Sequence, residues 1–478
     1  MTYPVLTSLR SRRQALRAGV AALVALGVPR LAFSRGRDGA CPWTFDINGD
    51  GTVSAADRAL IADAGFAMRG DRTSPRSNWD PRLDFLSRGR LLEDNLAEFD
   101  RLAPALATQL PPRPITACWH YGWYGPGRRQ RETPTMRYIG GNYLSTDRRT
   151  EETFNNLKNE FGISADMLSW IDNRDTLRAF ERGYLSASNR GQRRFGLLYE
   201  SQINLEARGR ISMSPARRAP TKLAHDFRRM GQWLRDVAGP DRDDVLRIDG
   251  RPVIYLYGSH TFGVNNAELP DVGTALVRAR DDFAAAFGAL PYLVGDESIF
   301  PGDAEVALDR RFRAQYFDAI TRYHHYDERQ VRELGGDRAI RLDADHIARI
   351  VALEQRNNTG FAGTRNRWSD QPIVTIPSMA AGFAKRGLPS LRASRADYEA
   401  LIDAMQTVAD ESNAGRRRKR LNAEAAAPSL VFVGSWNEEF EGHALMPASR
   451  NVALANGRQA GFDWLHALKS RYGSVPSR

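Results

Sequence analysis

Two carboxylates three residues apart, Glu438 and Glu441, form the pattern with the clearest chemical meaning in this sequence of 478 residues. If the segment makes a helical turn, side chains at i and i+3 are neighbours, with Cβ atoms about 5–6 Å apart. When two carboxyl groups lie this near to each other in a partly dry cleft, their pKa values separate. One group can then donate a proton while the other accepts one. Hydrolysis of a glycosidic bond requires this division of labour. Glu438 and Glu441 are therefore the predicted catalytic pair.

The elements that position this pair alternate between short apolar runs and amphipathic segments from residue 113 to residue 475. Near-continuous apolar runs separated by helical patterns are typical of a buried parallel sheet with βα connections. The predicted strands are 115–121, 165–171, 195–200, 253–257, 291–295, 319–323, 373–377 and 430–435, and the predicted helices include 151–161, 223–237, 273–287, 347–356, 398–412 and 461–472. Eight such units favour an α/β fold of the (β/α)₈ TIM-barrel class. An open doubly wound sheet is the alternative, disfavoured because no Gly-rich phosphate loop follows the first strand.

Chemistry in a TIM barrel takes place at the C-terminal ends of the strands, so the residues there are the candidate site. Aromatic rings stack on sugars and carboxylates bind hydroxyl groups, which makes this rim better suited to a carbohydrate than to a nucleotide or a lipid. The predicted substrate-binding residues are His120, Tyr121, Trp123, Tyr124, Trp170, Glu200, Tyr257, Glu297, His324, Trp436 and Asn437. Adjacent histidines on a strand point to opposite faces. His324 is therefore predicted as a substrate contact rather than as part of a metal site with His325 and Asp327.

Several of these motifs resemble glycoside hydrolase family 99, the family of endo-α-1,2-mannosidases and mannanases. The matching segments are 119–125 (WHYGWYG), Tyr199-Glu200, 253–257 (VIYLY) and 435–442 (SWNEEFEG), and the similarity spans about residues 113 to 475. The resemblance implies a retaining mechanism without a conventional protein nucleophile. Glu438 would deprotonate the sugar 2-hydroxyl to give a 1,2-anhydro intermediate, and Glu441 would protonate the departing oxygen and then activate water. Glu200 and Tyr257 would hold the sugar at the cleavage point.

A separate motif predicts a calcium loop before the barrel. Asp46, Asn48, Asp50, Thr52, Ser54 and Asp57 occupy positions 1, 3, 5, 7, 9 and 12 of an EF-hand-like loop, with Gly51 at position 6. Hard cations such as Ca²⁺ require many converging oxygen ligands of this kind. A second segment, 80–89, repeats the outline but has Leu86 and Arg88 at ligand positions, so one Ca²⁺ is expected rather than two. Residues 42–103 resemble a dockerin module, which implies either docking on a cohesin-like partner or a calcium-stabilised spacer.

The N-terminal residues 1–34 are predicted to be a twin-arginine signal peptide. Arg12 and Arg13 precede the short apolar run 18–28, and Ala32-Phe33-Ser34 supplies a small-residue cleavage site. The apolar run is too short for a permanent membrane span. We expect the mature protein to be periplasmic or extracellular, with no membrane attachment. The two cysteines, Cys41 and Cys118, cannot form a disulfide framework, and Cys118 is predicted to be a buried thiol.

The net charge of +11 does not by itself identify an anionic partner. The basic run 416–420 lies in a predicted loop without any nucleic-acid-binding motif, so nucleic acid is not an expected partner. A polysaccharide or oligosaccharide is the expected substrate. Two alternatives stay open at this point: a non-catalytic carbohydrate-binding barrel, and a hydrolase of an anionic or sulfated glycan, which the arginine surplus would suit.

Overall fold

The computed structural model describes residues 43, 45–48, 50–63, 96–97, 99–101 and 103, and most of the chain from residue 113 onward. The exceptions in that second part are residues 126–136, 139, 191–192, 239–242, 299–305, 324–339, 384–390, 418–429, 440, 442–443, 454–458, 474 and 476–478. The predicted signal peptide, the second calcium-loop repeat at 80–89 and Cys41 lie outside the described residues. So do His324, His325 and Asp327.

Strands and helices alternate along the described chain. The strands are β1 (Ile115–His120), β2 (Arg137–Tyr138), β3 (Ala165–Trp170), β4 (Arg194–Glu200), β5 (Arg247–Ile248), β6 (Arg251–Tyr257), β7 (Tyr292–Asp296), β8 (Ala319–Thr321), β9 (Ile340–Arg341), β10 (Val374–Thr375), β11 (Gly382–Phe383), β12 (Leu391–Arg392), β13 (Leu430–Ser435), β14 (Ala448–Ala453) and β15 (Gln459–Gly461). The helices are α1 (Ala55–Asp63), α2 (Arg148–Glu160), α3 (Arg174–Ala179), α4 (Ser201–Asn204), α5 (Arg218–Ala238), α6 (Leu269–Phe287), α7 (Leu308–Ala314), α8 (Ala344–Phe361), α9 (Arg395–Arg417) and α10 (Asp463–Tyr472).

The main sheet is a parallel barrel. Its strands lie side by side in the order β10, β8, β7, β6, β4, β3, β1 and β13, and every neighbouring pair in this order is parallel. The two ends of this order meet, because Ser378, just after β10, forms a parallel bridge with Phe432 of β13. The Phe432 amide donates to the Pro377 carbonyl at 3.0 Å, and the Met379 amide donates to the Phe432 carbonyl at 2.8 Å. The predicted (β/α)₈ fold is confirmed.

Both faces of the barrel strands are buried, which is why their sequences are almost continuously apolar. Inside the barrel the ring of Trp119 stacks between Tyr255 and Phe432, with centroid distances of 4.8 and 4.3 Å. Outside it the helices cover the wall. Gly231 of α5 lets this helix pack closely against α6, because a Cβ atom there would lie 2.8 Å from the Phe283 carbonyl oxygen of α6. Each of the predicted barrel strands and helices overlaps an observed one.

Smaller elements surround the barrel. β9, β12 and β11 form one three-stranded sheet, and β2, β14 and β15 form another. Before the barrel, α1 follows the predicted calcium loop, and Arg58 of this helix forms an ion pair with Asp100 at 2.6 Å. None of the helices within the described residues is long and apolar enough to cross a membrane.

Candidate active site

The alternation of side chains along the barrel strands decides which predicted residues reach the cleft. On β1, Trp119 points into the barrel and His120 points outward, so Tyr121, directly after the strand, points inward again. On β3, Ser169 points inward, because its hydroxyl donates a 2.7 Å hydrogen bond to Glu200 Oε1 at the end of the neighbouring β4. The inward residues at the strand ends define the mouth of the barrel.

Glu200 is a buried carboxylate at this mouth whose pKa is shifted upward. It is 6% exposed, and burial raises its pKa to about 7. The hydrogen bond from Ser169 opposes that rise, and the nearby carboxylate of Glu441 adds to it. A carboxyl group with this pKa exchanges its proton near neutral pH. It can therefore either donate a hydrogen bond to a substrate hydroxyl or accept one from it.

Three tyrosines at the mouth lie near the predicted catalytic pair. Burial raises the pKa of Tyr257 well above its ordinary value, and the carboxylates of Glu441 and Glu438 raise it further. The same two carboxylates act in the same direction on Tyr121 and Tyr323, whose hydroxyls hydrogen-bond each other. Glu438 and Glu441 thus lie near these tyrosines at the mouth of the barrel.

The turn after β13 carries the predicted catalytic pair, Glu438 and Glu441. The backbone amide of Glu438 donates to Ser435 Oγ at 2.7 Å, and the chain returns so that the Leu445 amide reaches the Ser435 carbonyl at 2.8 Å. The described part of this segment forms bends and turns rather than an α-helix. Glu438 is 4% exposed, whereas Glu441 is half-buried. One carboxylate therefore lies deeper in the barrel than the other.

Asn437 and Tyr124 hold this turn in place. Asn437 is fully buried; its amide pairs with both backbone groups of Tyr121 at 2.9 Å and also donates to the Tyr143 hydroxyl at 3.2 Å. The Tyr124 hydroxyl donates to the Asn437 carbonyl and accepts from the Glu439 amide at 3.3 Å. Both predicted substrate-binding residues instead position the backbone that carries Glu438.

Trp123 offers an aromatic surface beside the mouth. Its ring stacks on Tyr121 with a centroid distance of 4.2 Å, and the residue is only half-buried. A partly exposed indole next to an inward tyrosine is suited to stacking against a sugar ring.

Sequence reasoning missed two residues of the mouth, Asp296 and Tyr323. Asp296 ends β7, accepts a hydrogen bond from the Gly258 amide at 3.0 Å and acts on the pKa of Tyr257. Sequence reasoning chose the residues next to them, Glu297 and His324. Alternation was the available signal, because Asp296 follows the inward Val294 by two positions and therefore shares its face.

His120 does not reach the cleft, which corrects the prediction made for it. It belongs to a buried charge network of His120, Glu151, Lys158, Asp166 and Arg193, located between the barrel wall and α2. Lys158 Nζ lies 2.9 Å from His120 Nδ1 and donates to it, so the ring proton is on Nε2, 3.3 Å from Glu151 Oε1. Burial, followed by the charge of Lys158, lowers the pKa of His120 to about 4. The predicted buried thiol of Cys118 is confirmed beside this network, 3.2 Å from Asp166 Oδ1.

Three other predicted contacts also lie outside the barrel wall. Trp170 is fully buried in the outer layer, 6.2 Å from the ring of Tyr199. Trp436 is fully buried against Phe154 of α2. Glu297 forms a buried ion pair with Arg313, with Nε–O distances of 3.0 and 3.1 Å. In each case the residue type suits a sugar contact, but the side chain points away from the interior of the barrel.

The predicted calcium loop forms a set of amide-to-side-chain hydrogen bonds within itself. The Gly51 amide donates to Asp46 Oδ2 at 3.2 Å, and Gly51 has φ of +84°, a conformation that favours glycine. Asn48 Oδ1 accepts from the Asp50 amide at 2.9 Å, and Asp50 Oδ1 accepts from the Thr52 amide at 2.8 Å. Asp57, fully buried, accepts from the amides of Ile47, Asn48 and Ser54. The set is made of oxygen donors only, which suits Ca²⁺.

A second acidic group, Asp172, His225 and Asp226, has ligand atoms within 4.8 Å of one another. Basic side chains already neutralise it: Lys222 lies 2.5 Å from Asp226, and Arg229 lies 3.2 Å from Asp172. A cation there would have to displace these ion pairs.

Comparisons with known proteins support the fold. No protein-family model and no curated protein matches the sequence. Among solved structures, a glycoside hydrolase-like protein superposes with a TM-score of 0.51 at 12% identity, over 75% of this chain and 94% of that one. An endo-α-mannosidase of glycoside hydrolase family 99 from Bacteroides thetaiotaomicron gives a TM-score of 0.44 at 15% identity, over 75% and 95%. A family 26 β-mannanase from Bacteroides ovatus gives 0.38 at 10%, over 74% and 87%. At 12% identity, the first of these likenesses shows the TIM-barrel fold alone, and function must be argued from the site.

Proposed function

We propose that this protein is a glycoside hydrolase whose catalytic groups are Glu438 and Glu441. The observation that carries the proposal is the nearness of these two carboxylates to Tyr121, Tyr257 and Tyr323 at the C-terminal mouth of the barrel, where their charges raise the pKa of all three tyrosines. Acidic groups and tyrosines in one partly dry cavity can divide proton donation from proton acceptance, as cleavage of a glycosidic bond requires.

The roles follow from depth and from the motif resemblance. Glu438, the deeper residue, would take the proton of the sugar 2-hydroxyl, whose oxygen then attacks the anomeric carbon and forms a 1,2-anhydro sugar. Glu441, the more accessible residue, would protonate the departing glycosidic oxygen and then remove a proton from the water that attacks the anomeric carbon. As the bond between that carbon and the 2-oxygen breaks, Glu438 would return its proton to the 2-oxygen. Glu200, with its pKa of about 7, and Tyr257 would bind the hydroxyls of that sugar.

The charges at the mouth favour a neutral sugar over an anionic one. The four charged groups that act most strongly on the Tyr257 hydroxyl are all carboxylates, namely Glu441, Glu200, Asp296 and Glu438. A sulfate or uronate group bound there would meet like charges at short range in a poorly hydrated cavity, which is strongly unfavourable. The surplus of arginine elsewhere in the chain therefore does not argue for an acidic substrate at the cleavage point. An α-mannan is one neutral candidate that the motif resemblance suggests.

The test is a panel of glycans treated with the purified protein. It should contain α-mannans, other neutral polysaccharides and sulfated polymers, with reducing ends and released oligosaccharides as readouts. Glu441→Gln and Glu438→Gln should each lower turnover by about 10²- to 10⁴-fold. Glu206→Gln is the matched control, because Glu206 is an exposed glutamate paired with Arg218 at the surface. Full turnover by the Glu441→Gln variant would contradict the catalytic assignment, and glycan binding without turnover would favour a binding barrel.

We also propose that the loop from Asp46 to Asp57 holds one structural Ca²⁺ through its side-chain oxygens. The alternating amide-to-side-chain hydrogen bonds of the loop and the left-handed Gly51 support this proposal. A cation there would stabilise α1, which begins within the loop. Export by the twin-arginine route is likewise a proposal, and it is supported by the sequence of residues 1–34. Replacing Arg12 and Arg13 by lysine should retain the protein in the cytoplasm, as cell fractionation would show.

A further inference from the structure

A buried asparagine at the mouth of the barrel has no role in the reaction outlined above. Asn204 is the last residue of α4, the single helical turn that follows Glu200 at the end of β4. Both polar atoms of its amide bond to the backbone of the neighbouring strand end. Nδ2 donates to the Trp170 carbonyl at 3.1 Å, and Oδ1 accepts from the Asp172 amide at 2.9 Å. Asn204 therefore joins the turn after β4 to the segment after β3.

This side chain continues the pairing of the two strands beyond the end of their ladder. The last pair in the parallel register of β3 and β4 is Trp170 with Tyr199. In a parallel ladder, a residue bonds to the carbonyl before and to the amide after the residue opposite it. The Asn204 side chain makes the same two bonds around Ile171, because a primary amide carries a donor and an acceptor as a peptide group does. The two strand ends are thus held together past Glu200.

The added step lies next to the hydrogen bond that orients Glu200. Ser169 Oγ donates to Glu200 Oε1 at 2.7 Å, and Ser169 directly precedes Trp170. Asn204 follows Glu200 by four residues, one turn along the chain. The hydrogen bond between Ser169 and Glu200 is therefore bracketed by the strand pairing on one side and by the contacts of Asn204 on the other.

The end of β3 is the more firmly held of the two segments that Asn204 joins. Trp170 is the last residue of β3 and is fully buried. The side chain of Asp172 forms an ion pair with Arg229 of α5 at 3.2 Å. Loss of the Asn204 contacts would therefore release the turn that carries Glu200 rather than the end of β3.

We propose that Asn204 is a positioning residue that holds the Glu200 carboxylate against Ser169 and so presents it to a hydroxyl of the sugar at the cleavage point. The inference rests on the proposed hydrolase function. Asn204 acts through Glu200 and takes no part in the proton transfers.

The pKa of Glu200 reports whether Ser169 still reaches it, because the hydrogen bond from Ser169 lowers that pKa. The titratable groups that face Glu200 include Tyr121 after β1, Tyr255 and Tyr257 on β6, and Glu441 after β13. None of these groups is changed by a substitution at Asn204. Asn204→Ala should therefore raise the pKa of Glu200 in the same direction as Ser169→Ala.

The experiment is a double-mutant cycle of Asn204→Ala and Ser169→Ala. Urea unfolding between pH 5 and 8, in each background with and without Glu200→Gln, gives the pKa of Glu200 without any substrate. Ser169→Ala should raise this pKa in the wild type and leave it unchanged in Asn204→Ala. Asn204→Ser, whose hydroxyl cannot reach both backbone groups, takes the place of Asn204→Ala in the cycle if the alanine variant does not fold.

Kinetics on a glycan from the panel give the second readout. Asn204→Ala should lower kcat/KM about tenfold, the loss of one hydrogen bond between Glu200 and the sugar. Asn204→Gln, which keeps the amide, should recover part of the activity.

The matched control is Asn366→Ala. Asn366 is also buried, its Nδ2 donates to the Phe317 carbonyl at 2.9 Å, and its Oδ1 accepts from the Trp368 amide at 2.9 Å. Phe317 precedes β8, so these contacts lie at the N-terminal end of the barrel, away from the mouth. Asn366→Ala should lower the free energy of unfolding as Asn204→Ala does, but it should leave the pKa of Glu200 and kcat/KM unchanged.

The possible results separate the inference from the proposed function. An unchanged pKa of Glu200 in Asn204→Ala, additive effects in the cycle, or equal kinetic losses in Asn204→Ala and Asn366→Ala would overturn the positioning role while the hydrolase assignment stands. A wild type that cleaves no glycan would contradict the hydrolase assignment and with it the role in sugar binding. The unfolding cycle would in that case still show whether Asn204 holds Glu200 against Ser169.

Discussion

Asn437 and Tyr121 join the first and last strands of the barrel although 316 positions separate them in the sequence. Asn437 Oδ1 accepts from the Tyr121 amide and Nδ2 donates to the Tyr121 carbonyl, both at 2.9 Å. Tyr121 contributes a hydroxyl to the cavity, and Asn437 directly precedes Glu438. One side chain therefore sets the relative position of two functional groups.

Replacing Asn437 by alanine should damage both stability and catalysis. The change leaves two backbone groups of Tyr121 buried without their partner, which should cost about 3 kcal/mol of the free energy of unfolding. Turnover should fall more than substrate affinity, because Glu438 loses its alignment while the sugar-binding residues remain. Urea unfolding and steady-state kinetics measure the two effects. Asn266→Ala, at an exposed asparagine, should change neither, and an active, fully stable Asn437→Ala protein would refute the positioning role.

If the protein is the proposed hydrolase, Glu200 should give the pH profile of kcat/KM a descending limb near neutral pH. Its pKa is about 7 in the folded protein and 4.5 in the reference state, so between these values the folded protein binds the additional proton. Its contribution to stability is therefore present below pH 4.5 and is lost as pH rises towards 7, by up to about 3 kcal/mol. In catalysis, ionisation above pH 7 adds a negative charge beside Glu441, so kcat/KM should fall there.

The Glu200→Gln variant isolates this effect, because glutamine keeps the shape of the protonated acid and cannot ionise. Between pH 5 and 8 its free energy of unfolding should change less than that of the wild type. Its kcat/KM should lack the descending limb near pH 7. Ser169→Ala removes the hydrogen bond that opposes the rise in pKa, so the limb should move to higher pH. Profiles of identical shape in wild type and Glu200→Gln would show that another group titrates.

The strands could be located from sequence because burial on both faces leaves a continuous apolar run, as in β13, which was predicted with its observed bounds. The same burial hides which face points inward. His120 and Tyr121 are adjacent in sequence, each side chain has a polar group, and both are buried. Only Tyr121 points into the barrel. The composition of a strand that is buried on both faces does not reveal which of its residues point into the barrel. A contact with a residue of known orientation does reveal it, as the hydrogen bond between Ser169 and Glu200 illustrates.

The calcium proposal predicts that one equivalent of Ca²⁺ binds the full-length protein and raises the melting temperature of the segment that contains α1. At a hundredfold excess over Kd, one bound ion stabilises by about 2.7 kcal/mol. Asp50→Ala should abolish the calorimetric signal, because Asp50 occupies a ligand position and is exposed. Asp236→Ala, at an exposed aspartate far along the chain, should leave it unchanged. Two equivalents, or none, would contradict the proposal.

The buried charge network should make the barrel sensitive to acid through His120. Its pKa is about 4 in the folded protein and 6.5 in the reference state, so the unfolded chain takes up a proton first as pH falls. Stability present above pH 6.5 is therefore lost as pH falls towards 4, by about 3 kcal/mol for this group.

His120→Asn keeps an acceptor for Lys158 and removes the titration, so its free energy of unfolding should fall less steeply between pH 6.5 and 4. Urea unfolding at pH 7, 5.5 and 4.5 measures the slopes, with His225→Asn as a control at an exposed histidine. Equal slopes in the wild type and His120→Asn would show that the histidine is not kept neutral by its neighbours.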